Sequence, residues 1–436
     1  MDLIARGGQL SGTLRVPGDK SISHRAAILS SLAQGTIYIK GFLPSLDCLA
    51  TVRAMQQMGA KIAFHADETY LTIEGVGLQG LTAPDVPIDC QNAGTGIRLL
   101  AGILAGIPKT SILTGDSSLQ KRPMARIVQP LRAMGAKIAC EEEGAECYPP
   151  LTLVGKFPLT PISHTLSVAS AQVKSCLLLA GLFAKGTTEL LGAIESRDHT
   201  EKLLQTFDYP ITVTKKRIAL EGLGVLKAKD IQIPADISSA AFFIVGSAMM
   251  PGSEICLKSV GINPYRLGII QLLQKMGARI YLENERQFGY EPVADIWVQG
   301  ARLQGITIDK TWVQSTIDEF PALFIACALA EGQTLVRGAE ELRVKESDRL
   351  NSMAIGLKTL GVPVKVYPDG LSIQGIEAFG SGVIDSFGDH RIAMAFAMAS
   401  LAAKGPITIK NCEPIATSFP DFYSFANKAG LQLSQV

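Results

Sequence analysis

The sequence has almost no net charge: 41 Lys plus Arg stand against 40 Asp plus Glu in 436 residues. So even a balance gives no long-range field toward nucleic acid or an acidic membrane, and any basic function must come from local clustering. Long apolar runs are also missing. No stretch approaches the ~20 apolar residues of a membrane span. The segments around Leu177-Leu178-Leu179 and Ala393-Met394-Ala395 are shorter and interrupted by Gly or Lys, as buried helices are. The opening residues, Met1-Asp2-Leu3-Ile4-Ala5-Arg6-Gly7-Gly8, lack the basic region and apolar run of a signal peptide. Cysteines are scattered: Cys48, Cys90, Cys140, Cys147, Cys176, Cys256, Cys327 and Cys412 include no C-x2-C pair and no zinc-type spacing from His. Several sit in apolar runs, where Cys acts as a small hydrophobe. A reduced, cytoplasmic compartment is the expectation.

What the chain does have is length and repetition. At 436 residues it exceeds one ordinary core and suits two domains. An apolar, small-residue stretch leads to a Gly, then to a β-type run, then to a second helix-like stretch that often ends in Gly-Ala. The closing signature is Met58-Gly59-Ala60 in the first copy, Met134-Gly135-Ala136 in the second and Met276-Gly277-Ala278 in the fourth. It is Leu360-Gly361 in the fifth and Ala429-Gly430-Leu431 in the sixth, while the third ends degenerately at Phe207-Asp208-Tyr209-Pro210. The period of roughly 70 to 80 residues fits a β-α-β-α type unit better than a solenoid repeat. Mixed elements in each copy predict an α/β or α+β fold. Six copies in two domains makes three per domain. Val16-Pro17-Gly18-Asp19-Lys20-Ser21-Ile22-Ser23 is echoed by Ile233-Pro234-Ala235-Asp236-Ile237-Ser238-Ser239-Ala240, and both are expected to be crossovers with Ser-capped helix starts. The predicted domains are 20–234 and 1–19 plus 235–436, with the active site in the cleft between them.

Eight polar segments interrupt the apolar pattern. Gly18-Asp19-Lys20-Ser21-Ile22-Ser23-His24-Arg25 places Lys20 and Arg25 around serines at a helix start, where free N–H groups and the dipole favour an anion. It is not a Walker loop, since Asp19 stands between Gly18 and Lys20. Asn92-Ala93-Gly94-Thr95-Gly96-Ile97-Arg98 lets a ligand approach backbone closely, and Gln120-Lys121-Arg122-Pro123 adds a basic pair. Ser170-Ala171-Gln172-Val173-Lys174-Ser175 and Glu195-Ser196-Arg197-Asp198-His199-Thr200 combine hydroxyls with an Arg, which suits a phosphate. Asp318-Glu319-Phe320-Pro321 enters an apolar helix. Arg343-Val344-Lys345-Glu346-Ser347-Asp348-Arg349 is densely charged, with Lys345 and Arg349 on one face if helical. Gly388-Asp389-His390-Arg391 precedes a small-residue helix. Each segment alone also fits a helix cap or an exposed loop. Their recurrence at corresponding points of the repeats points to one anionic-substrate site, with Asp318, Glu346 and Lys345 as candidates for proton transfer.

In this order the motifs resemble the 5-enolpyruvylshikimate-3-phosphate synthase family, over essentially the whole chain. The resemblance implies two similar domains, each of three βαβαββ units around a pseudo-threefold axis, an inside-out α/β barrel. It implies chemistry without metal or organic cofactor. It also implies transfer of the enolpyruvyl group of phosphoenolpyruvate to the 5-hydroxyl of shikimate 3-phosphate in a cytoplasmic, monomeric enzyme of the shikimate pathway. No nucleic-acid or membrane partner is implied.

Carried over position by position, the resemblance places Lys20, Ser21, Arg25, Ser170, Ala171, Gln172, Ser196, Arg197, Asp318 and Lys345 around shikimate 3-phosphate. Ser170, Ser196 and Arg197 face its phosphate. Lys20, Gly94, Arg122, Gln172, Arg349, His390 and Arg391 surround phosphoenolpyruvate, with Arg349 and Arg391 suited to its carboxylate and Lys20 and Arg122 to its phosphate. Glu346 protonates the methylene carbon, and Asp318, helped by Lys345, takes the hydroxyl proton; Lys20 completes the catalytic set. The chain departs from the family pattern at Thr417, where many members carry Lys, at Glu341, where many carry Asn, and at Leu99, where others carry Pro. UDP-N-acetylglucosamine 1-carboxyvinyltransferase is the nearest rival, but Ser21 stands where that family has Asn and Asp116-Ser117-Ser118-Leu119-Gln120-Lys121-Arg122 contains no Cys. A non-catalytic anion-binding protein on the same fold is the other alternative.

Overall fold

A computed structural model describes residues 1–436. The chain forms two compact units. One comprises Met1–Pro17, Pro234–Gln287 and Pro292–Val436; the other comprises Gly18–Ile233 with Phe288–Glu291. Each has its own hydrophobic core, drawn from 3–16 and 235–433 in the first case and from 22–233 in the second. The sequence pattern gives no sign that the four residues 288–291 group with 18–233.

Each unit contains three four-stranded sheets, and each sheet belongs to one repeat. The second repeat gives the plan: strand Ile88–Asp89, helix Gly94–Ala105, strand Thr110–Thr114, helix Ala125–Ala133, then strands Lys137–Glu143 and Glu146–Val154. The first two strands pair in parallel and the rest antiparallel, so each copy is βαβαββ. Three repeats close over long sequence distances. The first takes its opening strand from Ile231–Gln232, parallel to Gln34–Lys40. The N-terminus serves two sheets of its unit: Ser11–Leu14 pairs with Glu254–Gly261, and Leu3–Gly8 lies between Ile407–Lys410 and Leu431–Gln435.

The main helix between the first two strands of each repeat is buried over most of its length, as a helix inside a ring of sheets must be; even Lys20–Leu32, which carries Ser, His and Arg, is buried from Ile22 onward. Every residue of Ile237–Ala248 is buried, as are nine of the ten residues of Phe320–Leu329 and of His390–Ala399. Each unit is therefore an inside-out barrel, with helices at its centre and sheets outside. The Gly at the end of each second helix takes the left-handed conformation that turns the chain back into a strand: φ is 102° at Gly59, 104° at Gly135, 97° at Gly277, 89° at Gly361 and 106° at Gly430. In the degenerate third repeat Asp208 takes that place at φ 54°, a conformation that Asp tolerates better than most side chains.

Three expectations are corrected. The helix starts at the crossovers are capped by Asp19 and Asp236, not Ser; Asp19 accepts from the Ile22 N–H at 2.9 Å and Asp236 from Ser238 N–H at 2.8 Å. Lys345 and Arg349 do not share a helical face. Lys345 is extended, and the helix begins at Arg349 because the Asp348 side chain caps it, accepting from the Asn351 N–H at 3.1 Å. Cys140 and Cys147 are joined in a disulfide rather than left as thiols, since the hairpin of 137–143 with 146–154 brings them together; the other six are buried and free.

Candidate active site

In the 18–233 unit the Lys20–Leu32 helix presents Lys20 at its first position and Arg25 a turn further on. Lys20 Nζ pairs with the buried Asp47 Oδ2 at 2.5 Å. Arg25 is 3 % exposed; its Nε donates to Thr200 Oγ1 at 2.8 Å, one Nη to Ser175 Oγ at 2.8 Å and the other to the Ser21 carbonyl at 2.9 Å. Burial, reinforced by nearby Arg197, pulls its pKa down to about 10, so it stays charged at neutral pH. His24 is buried against Thr51, Nδ1 to Oγ1 2.7 Å, and burial together with Lys20 and Arg25 holds its pKa well below the usual range. It is therefore neutral and adds no charge to the site.

The Gly-rich turn enters the Gly94–Ala105 helix, and Gly94 leaves room for two guanidinium groups. A Cβ there would lie 2.6 Å from an Arg122 Nη and 3.2 Å from an Arg98 Nη. Arg122 is oriented by Asn92 Oδ1 at 2.8 Å. Arg98 holds the Gly94 and Pro123 carbonyls and Gln172 Oε1, while Gln172 Nε2 donates to Thr95 Oγ1 at 2.9 Å. One guanidinium thus ties the Gly-rich turn, the Arg122 loop and Gln172 together. Ser170 caps the Ala171–Gly181 helix, leaving the Ala171 and Gln172 N–H groups at a helix start. Ser196 is buried, and its hydroxyl has no partner within the protein. Arg197 is half-buried beside it.

In the other unit Arg349 is the centre. It is 1 % exposed; Nε donates to Asp389 Oδ2 at 2.8 Å, Nη2 to Glu346 Oε2 at 2.6 Å, and Nη1 lies 3.7 Å from Asp318 Oδ1. Burial alone would weaken its charge, but Asp389, Glu346 and Asp318 raise its pKa above the ordinary value. Burial alone would also raise the Asp389 carboxyl, yet Arg349 holds it below the usual range. Asp389 also caps the His390–Ala399 helix, accepting from the Arg391 N–H at 2.9 Å. Arg391 Nη1 donates to the Asp318 carbonyl at 2.8 Å, so Asp318 is fixed through its backbone. His390 is buried, and Lys345 is half-buried one residue before Glu346. Thr417 donates to the Pro414 carbonyl at 2.7 Å.

The predicted residues thus divide between the units, with Lys20, Ser21, Arg25, Gly94, Arg122, Ser170, Ala171, Gln172, Ser196 and Arg197 in one and Asp318, Lys345, Glu346, Arg349, His390 and Arg391 in the other, and the contacts above bring Asp318, Glu346, Arg349 and Arg391 together. Sequence reasoning missed the groups that orient them. Asn92, Ser175, Thr200 and Asp389 lie inside the quoted motifs, and their polarity in apolar surroundings was the signal. Asp47 lies outside every motif, and only its charge in the first turn of a half-buried helix marked it.

The βαβαββ architecture is shared with the enolpyruvyl transferase NikO from Streptomyces tendae, which superposes over all of this chain and 98 % of its own with TM-score 0.82 at 18 % identity, a likeness of fold. The EPSP synthase (3-phosphoshikimate 1-carboxyvinyltransferase) family model matches residues 4–425, and the chain belongs to that family. The 3-phosphoshikimate 1-carboxyvinyltransferase of Coxiella burnetii strain RSA 493 is 53 % identical over 98 % of this chain and 96 % of its own. That of Acidithiobacillus ferrooxidans strain ATCC 53993 is 54 % identical over 99 % and 98 %. The solved EPSP synthase from Acinetobacter baumannii has TM-score 0.89 at 45 % identity, covering 100 % of both chains.

Proposed function

We propose that the chain transfers the carboxyvinyl group of phosphoenolpyruvate to the 5-hydroxyl of shikimate 3-phosphate, as a cytoplasmic monomer of the shikimate pathway. The observation that carries the reading is the meeting of Asp318 and Glu346 at the Arg349 guanidinium, at 3.7 and 2.6 Å. Two carboxyl groups on one buried cation can serve opposite proton transfers at adjoining atoms, while the cation holds the anion between them. Binding alone needs no such pair.

The phosphate of shikimate 3-phosphate meets Ser170, the open Ser196 hydroxyl and Arg197; Lys20, Ser21, Arg25 and the Ala171–Gln172 segment hold the rest of the molecule. The phosphate of phosphoenolpyruvate meets Lys20 and Arg122 beside Gly94, and Gln172 adjoins it. Its carboxylate takes Arg349 and Arg391, with His390 alongside. Glu346 pairs with Arg349, so an incoming carboxylate displaces it. Freed from the guanidinium, Glu346 takes up a proton more readily. It delivers that proton to the methylene carbon while the 5-hydroxyl oxygen bonds to C2 and its proton passes to Asp318, helped by Lys345. Glu346, now a carboxylate, takes back a methyl proton as the C2–O bond to phosphate breaks, which restores the double bond, and the proton held by Asp318 leaves with the inorganic phosphate. The cations offset the repulsion between the two substrates and hold them in reacting geometry.

The test is to mix purified protein with both substrates and follow phosphate and enol ether together. Equal yields, with none when UDP-N-acetylglucosamine replaces the acceptor, are expected. A folded sample that binds shikimate 3-phosphate without turnover would leave only an anion-binding protein.

A further inference from the structure

Behind the Ser170–Gln172 and Ser196–Arg197 segments lies a charge pair that no role above uses. Lys174 is 1 % exposed, and its Nζ lies 2.7 Å from Oε1 of the equally buried Glu201. The same nitrogen donates to the carbonyl of Ile194 at 3.2 Å and to that of Ser196 at 3.0 Å. The two carbonyls take two of the three ammonium protons, and Glu201 balances the charge as an ion-pair partner. Stability is a weak reason to keep such a pair, because well-packed apolar residues usually do as well at a buried site.

Geometry supplies a better reason. Lys174 fixes the backbone on both sides of Glu195 and thereby sets where the buried, unpartnered Ser196 hydroxyl and the adjoining Arg197 stand. Its own helix begins with Ala171 and Gln172, capped by Ser170. Glu201 follows Thr200, whose hydroxyl accepts from Arg25 and donates to Ser175 Oγ at 2.7 Å. One ammonium therefore links the three segments that carry the hydroxyl and cationic groups of this unit. Burial pushes the Glu201 carboxyl above its ordinary range and Lys174 offsets part of that, as expected for a pair in a dry setting.

We infer that Lys174, held by Glu201, is the positioning residue of the phosphate subsite formed by Ser170, Ser196 and Arg197. The inference rests on the reading that this subsite takes the phosphate of shikimate 3-phosphate, and it adds the element that keeps the subsite assembled before substrate arrives. Lys174 itself touches no substrate. Its loss acts through Ser196 and Arg197, so it weakens one substrate and spares the other.

The test compares the full chain with Lys174→Met/Glu201→Gln, which removes both charges and leaves neither unpaired. Calorimetric titration with shikimate 3-phosphate and steady-state kinetics for each substrate are the measurements. Expected is a rise of about ten-fold or more in Kd and KM for shikimate 3-phosphate, with kcat at saturation and KM for phosphoenolpyruvate within about three-fold. In a Ser196→Ala background the same double substitution should weaken binding by distinctly less, because the two act on one contact. Lys174→Gln, which keeps a shorter donor beside Glu201, serves if the double variant does not fold, and carries the same expectation. Unchanged affinity for shikimate 3-phosphate in a folded variant, a fall in kcat with both KM values unchanged, or full additivity with Ser196→Ala would overturn the inference. A parent chain that fails to bind shikimate 3-phosphate would instead overturn the reading beneath it.

Discussion

At the scale of single residues, Arg349 concentrates the chemistry of its unit: three carboxylates surround one guanidinium that is 1 % exposed. Two of them are the proposed proton-transfer groups. Glu346→Gln and Asp318→Asn are each expected to cut kcat by on the order of 10²-fold, because neither amide can pass a proton at neutral pH. Turnover within a few-fold of the parent for both would remove them from the mechanism. Asp389 differs, since it is fully buried and holds Arg349 by Nε and Nη2. Asp389→Asn leaves a buried cation short of a counter-charge and should cost about 3 kcal/mol of stability. The sign of its pH dependence follows from the direction of the shift. The Asp389 carboxyl titrates below its unfolded value, so its contribution is fully present above the ordinary carboxylate range and is lost as pH falls through the depressed value. Urea unfolding at neutral pH and near pH 3 should therefore show a gap between parent and variant that narrows in acid. The acids were legible from their place in charged motifs. Their common partner was legible only as one Arg among several, since no sequence rule says which cation three side chains will share.

At the scale of elements, the helix starts carry both fold and site. The repeating Gly after each second helix was legible because only a left-handed turn residue fits there, and Asp208 fills that place in the third copy where no Gly does. The caps were misread because Ser and Asp are equivalent N-cap residues in sequence. In the structure the Asp wins at both crossovers. Asp236 has a further tie, to Arg266 Nη2 at 3.0 Å, and Arg266 also donates to Ser238 Oγ at 2.6 Å. Asp236→Ala removes a cap, worth ~1 kcal/mol, and a buried ion-pair partner as well. We expect a loss of roughly 2–4 kcal/mol, seen as a lower urea midpoint with unchanged slope. Asp236→Asn keeps the cap acceptor and should recover about 1 kcal/mol of that loss. The opening strands Ile88–Asp89, Ile231–Gln232 and Thr307–Ile308 have only two residues each and no alternation to detect, so the sequence could not place them. They exist because neighbouring strands offer them a parallel edge.

At the scale of the whole molecule, the N-terminal residues bear on one unit alone. Leu3–Gly8 is an inner strand, hydrogen-bonded to Ile407–Lys410 on one side and Leu431–Gln435 on the other, and Ser11–Leu14 completes the sheet of Glu254–Gly261. Leu3, Ala5, Leu10 and Leu14 belong to the core of that unit, whereas the core of the other unit takes nothing before Ile22. Removing residues 1–14 therefore unpairs two ladders of one sheet and one of another, and takes buried apolar side chains with them. Each buried Leu contributes on the order of 2 kcal/mol, so the loss is comparable to the whole stability of an ordinary domain. Hydrogen exchange read segment by segment on the truncated chain should show loss of protection across 254–299 and 382–435, while the helices Gly94–Ala105 and Ala171–Gly181 keep theirs. Equal loss in both sets of segments would mean that the core of 22–233 does not stand on its own, and retained protection in both would mean that the N-terminal strands are dispensable to the sheets they complete.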